Sequence, residues 1–224
     1  MAIDVANDDA GRERLLALGV RNVPVIARGK EFIFAQNFKD IAEFVGLQGG
    51  DHDALPPAVL IVKWVNVLRA VQRYMRQMPQ ARLEERVIDN RDRSIRSMGH
   101  HVFRIGEAFL ETVVGGVDYV PMAANAPPAD GAFTTGAEIA RYGEDVTLRL
   151  QRWWDGLADK SCAQSVATFY GPQPIHQLFE RSTWHSAQHG RQLIAVLERF
   201  GIEPDVPLTA TDLAGLPLPK GLWE

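Results

Sequence analysis

Apolar positions between residues 58 and 200 recur every three or four residues in four long stretches, which is the spacing of amphipathic helices. Four helices of about 20 residues can enclose one core, with a long crossover between the second and the third. The pattern therefore predicts a mainly α protein built on a four-helix bundle. The approximate bounds of the predicted helices are Ala58–Met78, Ser94–Val114, Thr135–Leu157 and Pro174–Phe200.

The first 47 residues differ, because short β-branched runs alternate there with helical stretches. The predicted order is β-α-β-β-α, over Ile3–Val5, Asp8–Leu18, Val23–Ala27, Glu31–Phe34 and Phe38–Val45. Asn37 and Gly46 are the predicted caps of the last helix. Residues 48–57 form a linker rich in Gly, Asp and Pro. The predicted domains are thus a small α/β unit at 1–47 and a helical domain at 58–224.

Two irregular segments are predicted in the helical domain. Residues 119–131 (YVPMAANAPPADG) contain too much Pro, Ala and Gly for a regular element to be expected. The segment after Gly201 is punctuated by proline but apolar, so we expect it to pack along the helices.

The overall composition is typical of a globular protein, with 46% apolar and 23% charged residues. A net charge of −4 argues against a nucleic-acid partner or an acidic membrane surface, which need a basic face. No apolar run approaches the ~20 residues of a membrane span, and no signal peptide is visible, so we expect a cytoplasmic protein. The single cysteine, Cys162, excludes an intrachain disulfide framework and is expected to be inert.

Histidines supply the candidate chemistry. His185 and His189 are four residues apart on the last helix, so both side chains leave one face. His101 falls within the apolar stripe of the second helix, whereas His100 falls beside charged residues. Three inward imidazoles on two helices could hold a divalent metal with one open position. Ordinary core hydrogen bonds are the alternative, and His100 in place of His101 is a further one.

Other polar and aromatic side chains have predicted roles near these histidines. Arg104 and Arg191 are candidates to orient an anionic group of a substrate, since guanidinium can hold a carboxylate with two hydrogen bonds. The alternative for Arg191 is a solvated surface charge. Trp64, Trp153 and Trp154 are expected to be core residues.

From Ala58 to the end, the chain resembles the DinB-like metalloproteins, a superfamily of four-helix bundles. The resemblance depends on SMGHHVFRIGEAFL in the second helix and HSAQHGRQL in the last. It implies His101, His185 and His189 as metal ligands, with zinc first among the metals and nickel or iron as alternatives. Members of that superfamily include thiol-dependent transferases and isomerases, which implies Lewis-acid activation of a thiol or a substrate.

From Ile3 to Gly46, GVRNVPVIARGKEFIFAQNFKDIAEFVG resembles the second half of a glutaredoxin. The resemblance implies that Val23 and Pro24, at the cis-proline step of that fold, contact the cysteine part of glutathione. It also implies that Asn37, at a helix N-terminus, receives the γ-glutamyl carboxylate. The matching residues do not include that family's redox cysteines, so dithiol chemistry is not expected. A structural or dimerising role for this unit stays open.

Together these features lead us to expect a metal-dependent enzyme that uses glutathione or a similar low-molecular-weight thiol. The expected reaction is transfer to, or isomerisation of, a small electrophilic substrate, in a homodimer. One alternative is a metal-dependent hydrolase or lyase that uses metal-bound water, and another is a non-catalytic metal-binding stress-response protein.

Overall fold

A computed structural model describes residues 3–5, 8–21, 23–35, 38–46, 53–87, 93–129 and 131–223. The chain divides into two compact units, Met1–Asp53 and Ala54–Glu224, and the division falls inside the predicted linker. The protein is mainly helical, with two small antiparallel sheets among the described residues.

The first unit contains a hairpin between two helices. Its elements are α1 (Asp9–Ala17), β1 (Val25–Arg28), β2 (Glu31–Phe34) and α2 (Phe38–Val45). The strands pair with Ile26 opposite Ile33, and Gly29 at the turn has a φ of 65° that suits glycine. The helix α2 packs against β2. The predicted helix bounds and the second strand of the hairpin are confirmed within one residue.

The strand predicted at Ile3–Val5 is wrong. Ile3 packs instead against the first turn of α1, where a Cβ added to Gly11 would lie 2.3 Å from the Ile3 side chain. The Ile3 side chain therefore packs on a helix and not on a sheet. Among the described residues, the strands β1 and β2 pair only with each other.

The second unit is dominated by four long helices, which agree with the predicted bounds within one or two residues. The residues at the N-termini explain where three of these helices begin. Pro57 is the first residue of the first long helix, and the hydroxyl groups of Ser94 and Thr135 cap the second and the third. None of the described helices is long and apolar enough to cross a membrane. The elements are α3 (Pro57–Gln77), a 3-10 turn (Gln80–Arg82), α4 (Ile95–Val113), α5 (Pro121–Asn125), α6 (Gly136–Gly156), β3 (Ser165–Thr168), β4 (Gly171–Pro174), α7 (Ile175–Arg199) and α8 (Ala210–Leu213).

The core of the second unit lies between α3, α4, α6 and α7. The helices α3 and α4 each pack mainly against both α6 and α7. A close approach of α6 to α4 requires Gly143, because a Cβ there would lie 2.3 Å from the ring of Phe103. Each large apolar side chain buried here contributes about 1.5–3 kcal/mol to stability. The largest fully buried side chains include Trp64, Tyr74, Phe103, Phe109 and Phe179.

Several short elements were not predicted, namely the 3-10 turn, α5, the hairpin β3–β4 and α8. The stretch 119–131 contains α5, which begins at a proline and packs against α4, so tertiary contact stabilises a helix too short to form alone. The sequence does not predict the hairpin β3–β4, because Pro172 and Pro174 argue against a strand. A two-stranded sheet tolerates these prolines because each of its strands lies at an edge.

The tail beyond Gly201 packs along the helices, as predicted. The Leu208 amide donates to the Tyr74 hydroxyl at 2.9 Å, and the Lys63 ammonium donates to the Thr211 carbonyl at 3.0 Å. Farther along, the Gln188 side chain of α7 donates to the Leu222 carbonyl at 2.8 Å. The tail therefore contacts α3 and α7 and reaches the segment of α7 that carries the histidines.

Candidate metal centre

Three histidines from two helices meet inside the second unit. His101 comes from α4, and His185 and His189 come from successive turns of α7. Their ring centroids are 4.9–5.1 Å apart, and one ring nitrogen from each lies within 4.8 Å of the other two. The Nε2 atoms of His101 and His185 are 3.4 Å apart. These three residues, called the histidine trio below, lie close enough to hold one metal ion.

The neighbouring His100 belongs to a different part of the molecule. Its ring stacks on Tyr142, with centroids 5.4 Å apart and planes 17° apart, and it lies 5.3 Å from the Phe133 ring. Successive residues of a helix point about 100° apart, so His100 and His101 cannot share one face. The structure thus places His101, and not His100, with His185 and His189.

Hydrogen bonds define which nitrogen of two imidazoles can bind a metal. His101 Nδ1 lies 2.7 Å from the Ala124 carbonyl of α5, which can only accept, so Nδ1 carries the proton. His189 Nδ1 lies 2.7 Å from Gln192 Oε1. The Gln192 amide orientation follows from its Nε2, which donates to the Leu222 carbonyl at 2.8 Å. In both histidines the lone pair therefore resides on Nε2, the usual consequence of such outer partners.

Two members of the trio, His101 and His185, are neutral near pH 7. Burial lowers the pKa of His101 well below its usual 6.5, and the nearby His189 and Arg93 lower it further. Burial also lowers the pKa of His185 well below 6.5, with His189 and His101 as the next causes. Neutral imidazole is the form that binds metal, so protons do not compete for His101 and His185 near pH 7.

The three histidines differ in exposure. His101 and His189 are each 4% exposed, whereas His185 is partly exposed.

The donor set fits a zinc ion with an open position. Tetrahedral zinc with nitrogen ligands at 2.0–2.1 Å places those nitrogens about 3.3 Å apart, close to the His101–His185 separation. The Ala124 carbonyl and the Gln192 amide are the outer partners that orient metal-binding histidines in proteins. Among the described residues no Asp, Glu or Cys joins the cluster, so the described part of the chain supplies three ligands.

The two arginines predicted to orient a substrate have protein partners instead. Arg104 donates to both carboxylate oxygens of Glu111 at 2.8 and 2.7 Å, and to Glu107 at 3.1 Å. Arg191 donates to Gln188 Oε1 at 2.7 Å and to the Pro219 carbonyl at 3.0 Å. Their expected role on a substrate therefore has no support in the structure, and each one connects parts of the fold.

The predicted thiol-contacting residues belong to the first unit. The Val23–Pro24 peptide bond is cis, Val23 is 52% exposed, and the Pro24 carbonyl accepts from the Ala35 amide at 3.0 Å. Asn37 lies outside the described residues. The trio lies in the second unit.

The predictions for the remaining candidates agree with the structure. Trp64 is fully buried and donates to Ser186 Oγ at 3.0 Å, while Trp153 and Trp154 are half-buried at the margin of the core. Cys162 is buried, and burial raises the pKa of its thiol, which disfavours the reactive thiolate.

Sequence reasoning missed two cations beside the trio. Arg181 donates to the Tyr170 hydroxyl at 2.6 Å, and its charge lowers the pKa of His185. Arg93 donates to Asn125 at 3.4 Å and acts on both His101 and His185. Arg181 precedes His185 by four residues on one helix, a spacing that could have identified it. Arg93 lies before α4, and no pattern in the sequence relates it to α7.

A scan against known protein families finds no family model that matches this chain, and a search of curated proteins finds no match.

Proposed function

We propose that the chain is a metalloprotein of the DinB-like kind, with α3, α4, α6 and α7 as its four-helix bundle. The histidine trio holds a divalent cation, zinc before nickel or iron. We further propose a thiol-dependent transferase or isomerase activity on a small electrophile, with glutathione as the thiol.

One observation carries the metal proposal: three imidazoles converge from two helices, and among the described residues no carboxylate or thiol joins them. Buried polar groups cost free energy unless a partner satisfies them, and three like groups cannot fully satisfy one another. A bound zinc ion supplies Lewis acidity, which favours the thiolate form of a coordinated thiol.

The protein residues have separate tasks in this proposal. His101 and His189 are buried and held by hydrogen bonds, so they present fixed Nε2 donors. His185, the partly exposed member of the trio, is the third ligand in this proposal. A hydrolase would need a general base nearby, but the carboxylate of Glu107 is bound by Tyr142 at 2.6 Å and by Arg149 at 2.9 Å. We therefore favour group transfer or isomerisation over hydrolysis.

The support for glutathione comes from the first unit. A strand-strand-helix order, β1, β2 and α2, follows Val23 and Pro24, as in the glutathione-contacting half of a glutaredoxin. Helix N-termini favour carboxylates because their amides are unpaired. Glutathione is thus the low-molecular-weight thiol that we propose.

Metal content tests the first part of the proposal. We expect the purified protein to contain close to one zinc per chain by mass spectrometry, and His185→Ala to contain far less. The chelator-treated wild type should melt at a lower temperature than the zinc-loaded protein, because binding to the folded state adds stability. Equal metal content in wild type and His185→Ala would contradict the proposal.

Cobalt substitution tests the thiol. A thiolate on Co²⁺ produces a sulfur-to-metal absorption band in the near ultraviolet. Glutathione added to the cobalt-loaded protein should produce that band, and S-methylglutathione, which has no thiol, should not. Absence of the band with glutathione would remove the thiol from the proposal and leave the metal site intact.

A further inference from the structure

The C-terminal segment makes an ordered set of contacts with α7 next to the trio. We define residues 216–223 as the strap. Leu216 is buried, and three strap carbonyls accept hydrogen bonds from side chains of α7. The donors on α7 are Gln188, Arg191 and Gln192, which flank His189 on both sides in the sequence.

Only one of these donors also contacts a histidine. Gln192 accepts from His189 Nδ1 at 2.7 Å and donates to the Leu222 carbonyl at 2.8 Å. Its amide has one acceptor end and one donor end, so the strap carbonyl determines which end faces the imidazole. A reversed amide would place its oxygen against the Leu222 carbonyl, where two acceptors repel, and its NH₂ group could pair with His189 Nδ1 only in the other tautomer.

Gln188 provides a matched comparison. It is also buried and also donates to the Leu222 carbonyl, at 2.8 Å, and to the Gly221 carbonyl at 3.3 Å. Its Oε1, however, accepts from Arg191 and not from a histidine. The two glutamines thus have the same type, burial and strap contact, and differ in the contact with His189.

We propose that Gln192 is a positioning residue for the metal centre, which couples the strap to His189 and holds that imidazole with Nδ1 protonated and Nε2 available. The inference rests on the proposed function for its effect on metal affinity. Its effect on the imidazole and on the strap does not depend on metal.

Zinc affinity is the first measurement, by competition with a chromogenic chelator on the full chain. Loss of an outer partner of a metal-binding histidine typically weakens metal binding 10–100-fold. We expect Gln192→Met, which keeps the size but removes the acceptor, to weaken zinc binding at least about tenfold. Gln188→Met should stay within about threefold of wild type, since its wild-type contacts do not include a histidine.

The second measurement reads the imidazole itself in the metal-free protein. Nitrogen-15 NMR distinguishes the two neutral tautomers of histidine. We expect His189 to carry its proton on Nδ1 in the wild type and in Gln188→Met, and to show a mixture of tautomers in Gln192→Met. A merely structural role of Gln192 would not change this signal.

A third variant separates the two ends of Gln192. The carboxylate of Gln192→Glu still accepts from His189 Nδ1, but it cannot donate to the Leu222 carbonyl. We expect it to retain the tautomer and the zinc affinity, while amide hydrogen exchange in residues 219–223 becomes faster. If Gln192→Met does not fold, this variant decides the coupling alone.

Three outcomes would overturn the inference. They are an unchanged tautomer and affinity in Gln192→Met, equal losses in Gln192→Met and Gln188→Met, and unchanged exchange of the strap in Gln192→Glu. A wild type that binds no zinc would refute the proposed function, and the tautomer and exchange experiments would still decide the role of Gln192.

Discussion

Helix α4 carries two polar regions on adjacent faces, and they are built in opposite ways. On one face His101 meets two further histidines of α7. On the other, Glu107 accepts from Tyr142 at 2.6 Å and from Arg149 at 2.9 Å, and Arg104 joins Glu107 to Glu111. We call this second set the charge network. The trio consists of like groups, whereas the network pairs donors with acceptors and cations with anions.

The difference shows what separates a candidate site from a structural cluster. Burial raises the pKa of Glu107, but the hydrogen bonds from Tyr142 and Arg149 outweigh it and leave the pKa below its usual value. The charges of the network therefore stabilise one another, and their hydrogen-bonding groups already have partners within the protein. In the trio, burial, the neighbouring histidines and nearby arginines lower the pKa values of His101 and His185, and the hydrogen bond to the Ala124 carbonyl only partly offsets this for His101. The Nε2 lone pairs of His101 and His189 suit an external cation.

The strongest test of the comparison replaces one histidine from each face. His189→Ala removes a ligand, and we expect zinc affinity to fall more than about 100-fold, since three protein ligands are the usual minimum for such sites. His100→Ala, one residue from His101 but on the other face, should keep zinc affinity within about threefold. Isothermal titration with zinc measures both. Loss of binding in His100→Ala and not in His189→Ala would reverse our assignment.

The contributions of the trio and of the charge network to the free energy of unfolding should also change over different pH ranges. In the unfolded chain a histidine binds a proton near pH 6.5, but His101 and His185 stay neutral when folded. Acid therefore favours the unfolded state, and the metal-free protein should lose about 1 kcal/mol per histidine between about pH 7.5 and 5.5. His100, whose pKa burial also lowers, adds to the loss.

The charge network contributes little in that range. The pKa of Glu107 is lowered from 4.5, so its stabilising effect is present above about pH 4.5 and is lost only as the pH falls further. Urea unfolding of the chelator-treated protein at several pH values measures the difference. His185→Asn should lose less stability over this interval than the wild type. A pH profile identical to that of the wild type would contradict the prediction that His185 is neutral.

Removal of the central carboxylate should disturb only the network. Glu107→Gln removes the anion that Arg104 and Arg149 share. Of the two polar atoms of the new amide, only the oxygen can accept a hydrogen bond. Hydrogen bonds to charged groups contribute about 1.5–3 kcal/mol, and Glu107 is one-quarter exposed, so we expect a loss near 2 kcal/mol in the free energy of unfolding. Zinc affinity should not change. A tenfold fall in affinity would show that the two faces are coupled.

The same comparison explains what could be predicted from sequence. The apolar period separates His101 from His100 on α4, although both side chains are buried, and the four-residue spacing puts His185 and His189 on one face, because both signals are local to one helix. The roles of Arg104 and Arg191 could not be assigned in this way. A long side chain can reach several neighbours, and only the structure shows that Arg104 binds Glu111 and that Arg191 binds the strap.

Contacts between elements that are distant in sequence were also beyond prediction. The Ala124 carbonyl orients His101 from a helix in a stretch that reads as irregular, and Tyr142 and Arg149 reach Glu107 from α6. A backbone carbonyl has no signature in the sequence at all. The ligands of the candidate site were therefore predictable, and the partners that orient them were not.

The smallest expected effect comes from a change that keeps the charge of the network. Arg104 holds Glu111 with two parallel hydrogen bonds at 2.8 and 2.7 Å, a geometry that planar guanidinium provides and ammonium does not. Arg104→Lys should therefore cost about 1 kcal/mol of unfolding free energy, less than Glu107→Gln, because one ion pair survives. Zinc affinity should match the wild type, as should binding of glutathione to the cobalt-loaded protein. A tenfold weaker binding of glutathione to Arg104→Lys, with unchanged stability, would show that Arg104 contacts the ligand, as the sequence predicts. The division of α4 into a binding face and a structural face would then be wrong.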